Sequence, residues 1–321
     1  MNKKWLTLKE VEEMYPGVFK IYLFLIEKRG VGISNHLQTH LIRFIKRNQT
    51  FVKEIEKKFK EFQENDSTHH FFKSKVVKAS IKELQRELHT TYSQFLSTQD
   101  SKKEQMLNNS NSISDLLSIH KSTIERIESY DEIYSYIIKQ FILSDNSLNF
   151  ENNSQLSILD IGCGMNPLSI EKFINSYNYL INSSQKISAN NIKWIGCDVH
   201  QEDMDYISKA YEMFNHNGEF FSYDVTRKDD REKIKSKKVD ILFVFKVLDS
   251  LEHIQRNISF EILKELNYKI GVISFATYSL GRRKKIPITK RAWVLKFLER
   301  EKWTYSIYET ENEAYIVYKK K

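Results

Sequence analysis

The chain has 321 residues, 40% hydrophobic and 29% charged, which excludes a disordered or fibrous protein and leaves room for two globular domains. Its 50 Lys and Arg outnumber 42 Asp and Glu for a formal charge of +8, which points to a polyanionic partner such as nucleic acid or to a lysine-rich solvated surface. Two cysteines rule out a disulfide framework, Met1-Asn2-Lys3-Lys4-Trp5 lacks the apolar core of a signal peptide, and no apolar run reaches membrane-spanning length; a cytoplasmic chain without a membrane partner is expected.

Residues 1–66 carry helical apolar periodicity. Thr7-Leu8-Lys9-Glu10 has the capping-box pattern that starts a helix, and Pro16-Gly17 breaks it. Further helices are expected from Val18 to Glu27, from about Ser34 to Arg47 and from about Thr50 to Phe62. His36 and His40 have a zinc-compatible spacing, but the intervening Leu37-Gln38-Thr39 supplies no acid for hydrolysis; ordinary histidines and no metal are expected. Ser67 to Ser97 reads as one helix with Phe71, Val76, Val77, Ile81, Leu84 and Leu88 on its apolar side. Lys73, Lys75, Lys78, Lys82 and Arg86 line its other faces, a surface for RNA or for water. Thr98 to Asn111 reads as a loop and Ser112 to Ile119 as a short helix. A helix then runs from His120-Lys121-Ser122-Thr123-Ile124-Glu125-Arg126 to about Leu143, with Ser122 and Glu125 as a second capping box; that box leaves His120 and Arg126 unexplained. Polar Ser144 to Ser157 is a linker.

From Gln155 strands and helices alternate, as in a parallel α/β sheet. The expected strands are Ser157–Ile161, Ile192–Cys197, Glu219–Tyr223, Val239–Phe245 and Ile270–Phe275. A helix from Lys290 to Arg300 precedes Trp303–Tyr308 and Tyr315–Tyr318, which flank a hairpin turn at Glu309-Thr310-Glu311-Asn312-Glu313. The expected organisation is a helical region at 1–111, a helical segment at 112–154 and an α/β domain at 155–321.

The chain is organised around Ile158-Leu159-Asp160-Ile161-Gly162-Cys163-Gly164-Met165-Asn166-Pro167-Leu168. A buried strand must turn sharply into a helix there, and Gly162 and Gly164 permit backbone angles a β-carbon forbids. The two glycines also let a ligand approach the backbone at the strand's carboxyl end. The dinucleotide fingerprint wants a third glycine where Pro167 stands, which weakens a NAD reading. Asp160-x-Gly162-x-Gly164 instead resembles the first motif of class I S-adenosylmethionine methyltransferases; the plain alternative is a strand–turn–helix joint. Asp198, followed by Val199, ends the second strand, where an acid holds cofactor ribose hydroxyls or caps the next helix. Asp224 ends the third, to meet an adenine amino group or cap a turn. The fourth ends at Phe245-Lys246 with neither an Asn-Pro-Pro-Tyr motif nor a Pro-Cys nucleophile, so an acceptor that is already nucleophilic is expected, and guanine N7 fits.

His120-x-Ser122-Thr123-x-Glu125-Arg126, the Asp160–Leu168 stretch, Phe245-Lys246-Val247-Leu248 and Ser274-Phe275-Ala276-Thr277-Tyr278-Ser279-Leu280-Gly281 occur in that order. Together they resemble the Arm/Kgm family of aminoglycoside-resistance 16S ribosomal RNA methyltransferases over roughly residues 67–321. The resemblance implies a Rossmann-like class I S-adenosyl-L-methionine-dependent methyltransferase domain behind an all-α N-terminal domain. It also implies RNA docking by the helical region at 1–111, a contribution of 112–154 to the cofactor site, and methylation of guanine N7 in the decoding region of 16S rRNA within the 30S subunit; a monomer is expected. Arg126 would pair with the cofactor's methionine carboxylate, Gly162 and Gly164 would pass the cofactor, and Asp198 would hold its ribose. His120, Asp160, Asn166, Val199, Asp224 and Phe245 complete the expected cofactor set, and Lys246 is the expected catalytic residue. Arg283 matches the family's arginine after Ser-Leu-Gly-Gly and, with Arg282, Lys284, Lys285 and Trp293, would face RNA; the basic run is otherwise a solvated loop. The chain departs from the family in that loop, with Ser-Leu-Gly-Arg-Arg for Ser-Leu-Gly-Gly-Arg and Lys284-Lys285-Ile286-Pro287 for Gly-Lys-Gly-Met. Another rRNA or tRNA site, a metabolite acceptor, or a non-catalytic RNA-binding factor therefore stay open.

Overall fold

Long apolar runs without polar alternation make strands that are buried on both faces. They form the interior of one seven-stranded sheet: β1 Leu156–Ile161, β2 Ile192–Asp198, β3 Gly218–Ser222, β4 Lys238–Phe245, β5 Asn267–Ala276, β6 Thr304–Glu309 and β7 Glu313–Lys319. The order is β3-β2-β1-β4-β5-β7-β6. Strands β1 to β5 pair in parallel, and β7 lies antiparallel between β5 and β6. The strand order reverses between β1 and β4, which opens a crevice at their carboxyl ends, the usual ligand position in such sheets. The computed structural model describes residues 7–27, 41–42, 44–64, 68–91, 100–144, 155–181, 186–279 and 284–320.

Two apolar layers hold the sheet. One centres on Trp194, Phe243, Tyr134, Phe173 and Tyr315, the other on Leu242, Val244, Ile273, Phe297 and Tyr318. Burying each such side chain contributes about 1.5–3 kcal/mol. Among the described residues no helix is long and apolar enough to cross a membrane.

The chain divides into two compact units, Met1–Gln94 and Phe95–Lys321. In the first, the Thr7–Glu10 capping box forms as its pattern predicts: the Glu10 carboxylate accepts from Thr7 N at 2.6 Å and Thr7 Oγ1 accepts from Glu10 N at 3.2 Å. The Glu56 carboxylate, on helix Gln49–Glu64, accepts from Gly17 N and Val18 N at 3.0 and 2.8 Å and so caps helix Pro16–Glu27. The single helix expected over Ser67–Ser97 is instead two, Thr68–Phe71 and Lys75–Thr91, separated by a turn at residues 72–74. His36 and His40 lie outside the described residues.

The second unit begins earlier than the 111/112 boundary expected from composition. A helix, Asp100–Asn109, stands where a loop was expected, with Leu107 buried and Met106 packed on the first core layer. Its polar composition hides a short apolar face. The helix expected from His120 to Leu143 is also split, into Lys121–Ile124 and Tyr130–Ser144. At the start of the first piece His120 Nδ1, not Ser122, provides the cap by accepting from Ser122 N, and the Glu125 carboxylate pairs with Lys246, so the expected second capping box does not form.

Candidate cofactor and active site

The glycine turn follows β1 directly. Gly162 has φ +61° and Gly164 φ +48°, both in the left-handed region. A β-carbon on Gly162 would stand 2.5 Å from Val247 Cγ2, whereas one on Gly164 would meet nothing within 4 Å. The first glycine is required by packing, and the second opens onto space. Hydrogen bonds from Gly162 N and Cys163 N to Cys197 O, at 2.8 and 3.2 Å, tie the turn to β2. Half-buried Asp198 ends β2, accepting from Gly164 N at 2.9 Å and from Val199 N at 2.6 Å. Asp160 is fully buried and accepts from Asn166 Nδ2 at 2.8 Å. Burial pushes its carboxyl up to about 7, against the lowering pull of the Asn166 bond and of the Arg126 charge.

Beside this turn, four charged side chains interlock. Arg126 is buried and donates through Nε and Nη2 to the two carboxylate oxygens of Glu313, at 2.8 Å each. Its Nη1 lies 3.5 Å from Asn166 Oδ1, which also accepts from Tyr130 Oη at 3.0 Å, and its guanidinium sits 5.0 Å from the Phe245 ring centroid. Lys246 follows β4 with φ +58°, a strained backbone for a residue with a β-carbon. Its Nζ is 2.9 Å from Glu125 Oε2 and 3.3 Å from Glu313 Oε2. Ser274 Oγ donates to Glu313 and accepts from Lys246 N. Burial alone would raise the Glu313 carboxyl, but the charges of Arg126 and Lys246 hold it at about 2.

The structure thus brings together Arg126, Asp160, Gly162, Gly164, Asn166, Asp198, Val199, Phe245 and Lys246 around the carboxyl ends of β1, β2 and β4. His120 is buried and spends its Nδ1 on Ser122. Asp224 accepts from Thr226 N and Oγ1 at 3.0 and 2.6 Å, which makes it a turn cap in this structure. Lys284 and Lys285 are exposed, in a loop pinned by the bridge between Tyr278 and Lys285; Arg282 and Arg283 lie outside the described residues. Trp293 packs against Phe260 and Phe275, at ring separations of 5.6 and 6.1 Å. Sequence reasoning missed Glu313, which it placed in a hairpin turn. The β5–β7 ladder extends to the pair Ala276↔Glu313, so Glu313 starts β7 and is buried.

Residues 85–318 match the family described as Ribosomal RNA methyltransferase (FmrO). The chain belongs to this family. FmrO-family membership agrees with the sequence relatives it matches. One is a 16S rRNA (guanine(1405)-N(7))-methyltransferase of Serratia marcescens, 26% identical over 219 residues, 68% of this chain and 74% of that one. Another carries the same name in Micromonospora rosea, 25% identical over 53% of this chain but only 51% of its own length. The fold is shared with the 16S rRNA methylase RmtB, at TM-score 0.53 and 21% identity over 79% of this chain and 88% of that one. It is also shared with the 16S rRNA methyltransferase RmtF in complex with S-adenosyl-L-homocysteine, at TM-score 0.54 and 18% identity over 90% of this chain and 100% of that one. The FmrO fold implies S-adenosylmethionine, and the residues present fit it: Gly164 leaves clear space beside the backbone, and a half-buried carboxylate, Asp198, stands at its edge.

Proposed function

We propose that this chain transfers the methyl group of S-adenosyl-L-methionine to N7 of a guanine in 16S rRNA, in the decoding region of the 30S subunit. The observation that carries the reading is the glycine turn, with Asp198 hydrogen-bonded to Gly164 on one side and the buried Arg126 on the other. Bound S-adenosylmethionine supplies an electrophilic methyl group on a sulfonium. Gly162 makes the turn, Gly164 admits the cofactor to the backbone and Asp198 accepts from its ribose hydroxyls, with Val199 and Asp224 beside the nucleoside end. Arg126 offers the methionine carboxylate its Nη1, the nitrogen that does not engage Glu313. His120 and Asn166 position Arg126, and Asp160 positions Asn166.

Guanine N7 carries a lone pair and no proton, so the protein needs to orient the base and exclude water rather than supply a general base. Lys246, at the mouth of β4, holds the acceptor side. Arg282, Arg283, Lys284, Lys285 and Trp293 are read as the RNA-facing edge, with lysine and arginine contacts to phosphate that position without reading sequence. The helical region at 1–111 is read as docking on folded RNA by shape and charge, and the helical segment at 112–154, which carries Arg126, as contributing to the cofactor site. The protein is read as a cytoplasmic monomer, and no metal enters the reaction.

Incubation of the protein with 30S subunits and methyl-labelled S-adenosylmethionine, followed by mapping of the label, tests this. Label at N7 of a decoding-region guanine is expected. Label on another rRNA site, on tRNA or on small molecules only would replace the acceptor, and the altered loop around Lys284-Lys285-Ile286-Pro287 is the feature that would then account for it. Absence of cofactor binding would leave an RNA-binding factor.

A further inference from the structure

We propose that Lys103 is a positioning residue for the cofactor end of the site and not a lysine offered to RNA; this rests on the reading that S-adenosylmethionine binds at the glycine turn. Lys103 lies on helix Asp100–Asn109, within the 1–111 region expected to dock on RNA. Its side chain is only 9% exposed, and its Nζ donates to Asp203 Oδ1 at 2.8 Å. A covered ammonium in a charge-assisted hydrogen bond reaches no phosphate without breaking that pair.

What Asp203 is attached to gives the pair its purpose. Asp203 stands in the first turn of helix Gln201–Met213, just beyond Asp198 and Val199. The next residue, Met204, is fully buried, and its Sδ lies 3.8 Å from Sγ of Cys163, the residue between the two glycines. Farther along the same helix, Tyr211 Oη donates to Pro167 O at 2.7 Å, in the turn that follows the glycines. One helix therefore braces the glycine turn at two points, and Lys103 fixes the first turn of that helix. An acid in a first helical turn is favourable without any partner, so Asp203 does not need Lys103 for the helix to exist. Lys103 adds orientation: it keeps Asp203, 13% exposed, facing the protein, and with it the adjoining Met204 against Cys163. Without the ammonium, the Asp203 carboxylate gains more from water than from its covered place and draws the first turn outward.

Calorimetry on the full chain, titrated with S-adenosylmethionine and separately with 30S subunits, tests the assignment. Lys103→Met is expected to weaken cofactor affinity by about tenfold, the scale on which partners behind a binding residue act, with affinity for 30S subunits unchanged. Lys103→Arg is expected to restore most of the loss. A Lys103→Met protein that keeps wild-type cofactor affinity, or one that loses only RNA affinity, overturns the proposal. If Lys103→Met does not fold, Asp203→Asn decides in the same way: a similar cofactor loss supports it and an unchanged affinity overturns it. A wild-type protein that binds no cofactor would instead remove the reading on which the proposal stands.

Discussion

Glu313 faces Arg126, Lys246 and Ser274 from one buried position. Breaking a buried ion pair from one side leaves the partner charge uncompensated, so Glu313→Gln should cost roughly 3 kcal/mol of stability in urea unfolding. The sign with pH follows from its carboxyl, held at about 2 against an ordinary 4.5: its contribution is present above 4.5 and is lost as pH falls toward 2. Asp160 behaves in the opposite sense. Its carboxyl is raised by burial from 3.8 to about 7, so its contribution is complete below 3.8 and is lost as pH rises through about 7. In the cofactor-free protein, Asp160→Asn should therefore flatten the fall in stability over that window; a wild-type curve already flat there would contradict the assignment. Arg126→Ala should weaken S-adenosylmethionine binding far more than Arg283→Ala does, while Arg283→Ala should act on RNA binding; equal cofactor affinities would refute both roles.

At the scale of elements, the strands were readable because parallel strands covered on both faces carry unbroken apolar runs, such as Ile241-Leu242-Phe243-Val244-Phe245. The acids and glycines at strand ends were readable for a related reason: Gly162 and Gly164 sit where only left-handed angles make the turn. Glu313 was not, because a cluster of acids between two apolar runs looks like a solvated turn until the ladder shows Glu309 opposite Ala314 and Glu313 opposite Ala276. Helix Asp100–Asn109 escaped because its buried face is only a few residues wide. The split after Ile124 escaped because Ser122 and Glu125 have capping-box spacing, yet His120 takes the capping place and Lys246 takes Glu125. That cap has a testable role. His120→Ala should cost about 1 kcal/mol and loosen the short helix that leads into Arg126, lowering cofactor affinity without altering the far-UV helix signal beyond one turn.

For the whole molecule, the formal charge of +8 makes a prediction independent of any single contact. Affinity for 30S subunits should fall steeply with salt, as counterions released on phosphate contact make less difference. Replacing the two exposed lysines of the Tyr278–Lys285 loop, Lys284→Ala with Lys285→Ala, should lower the slope of log affinity against log salt and leave cofactor affinity as it was. An unaltered slope would move the RNA-facing edge elsewhere.

The interlocked group at the site has an electrical property distinct from the chain as a whole. Arg126 and Lys246 contribute two positive charges, Glu125 and Glu313 two negative ones, so the group sums to zero. A visitor that carries a sulfonium, an ammonium and a carboxylate at once meets a balanced wall there, with neither pole in excess. Such a wall repels neither the cationic donor before transfer nor the cationic base after it. Changing any one member by a full charge would tilt that balance, and the direction of tilt, more than the loss of a contact, should decide whether substrate entry or product exit slows.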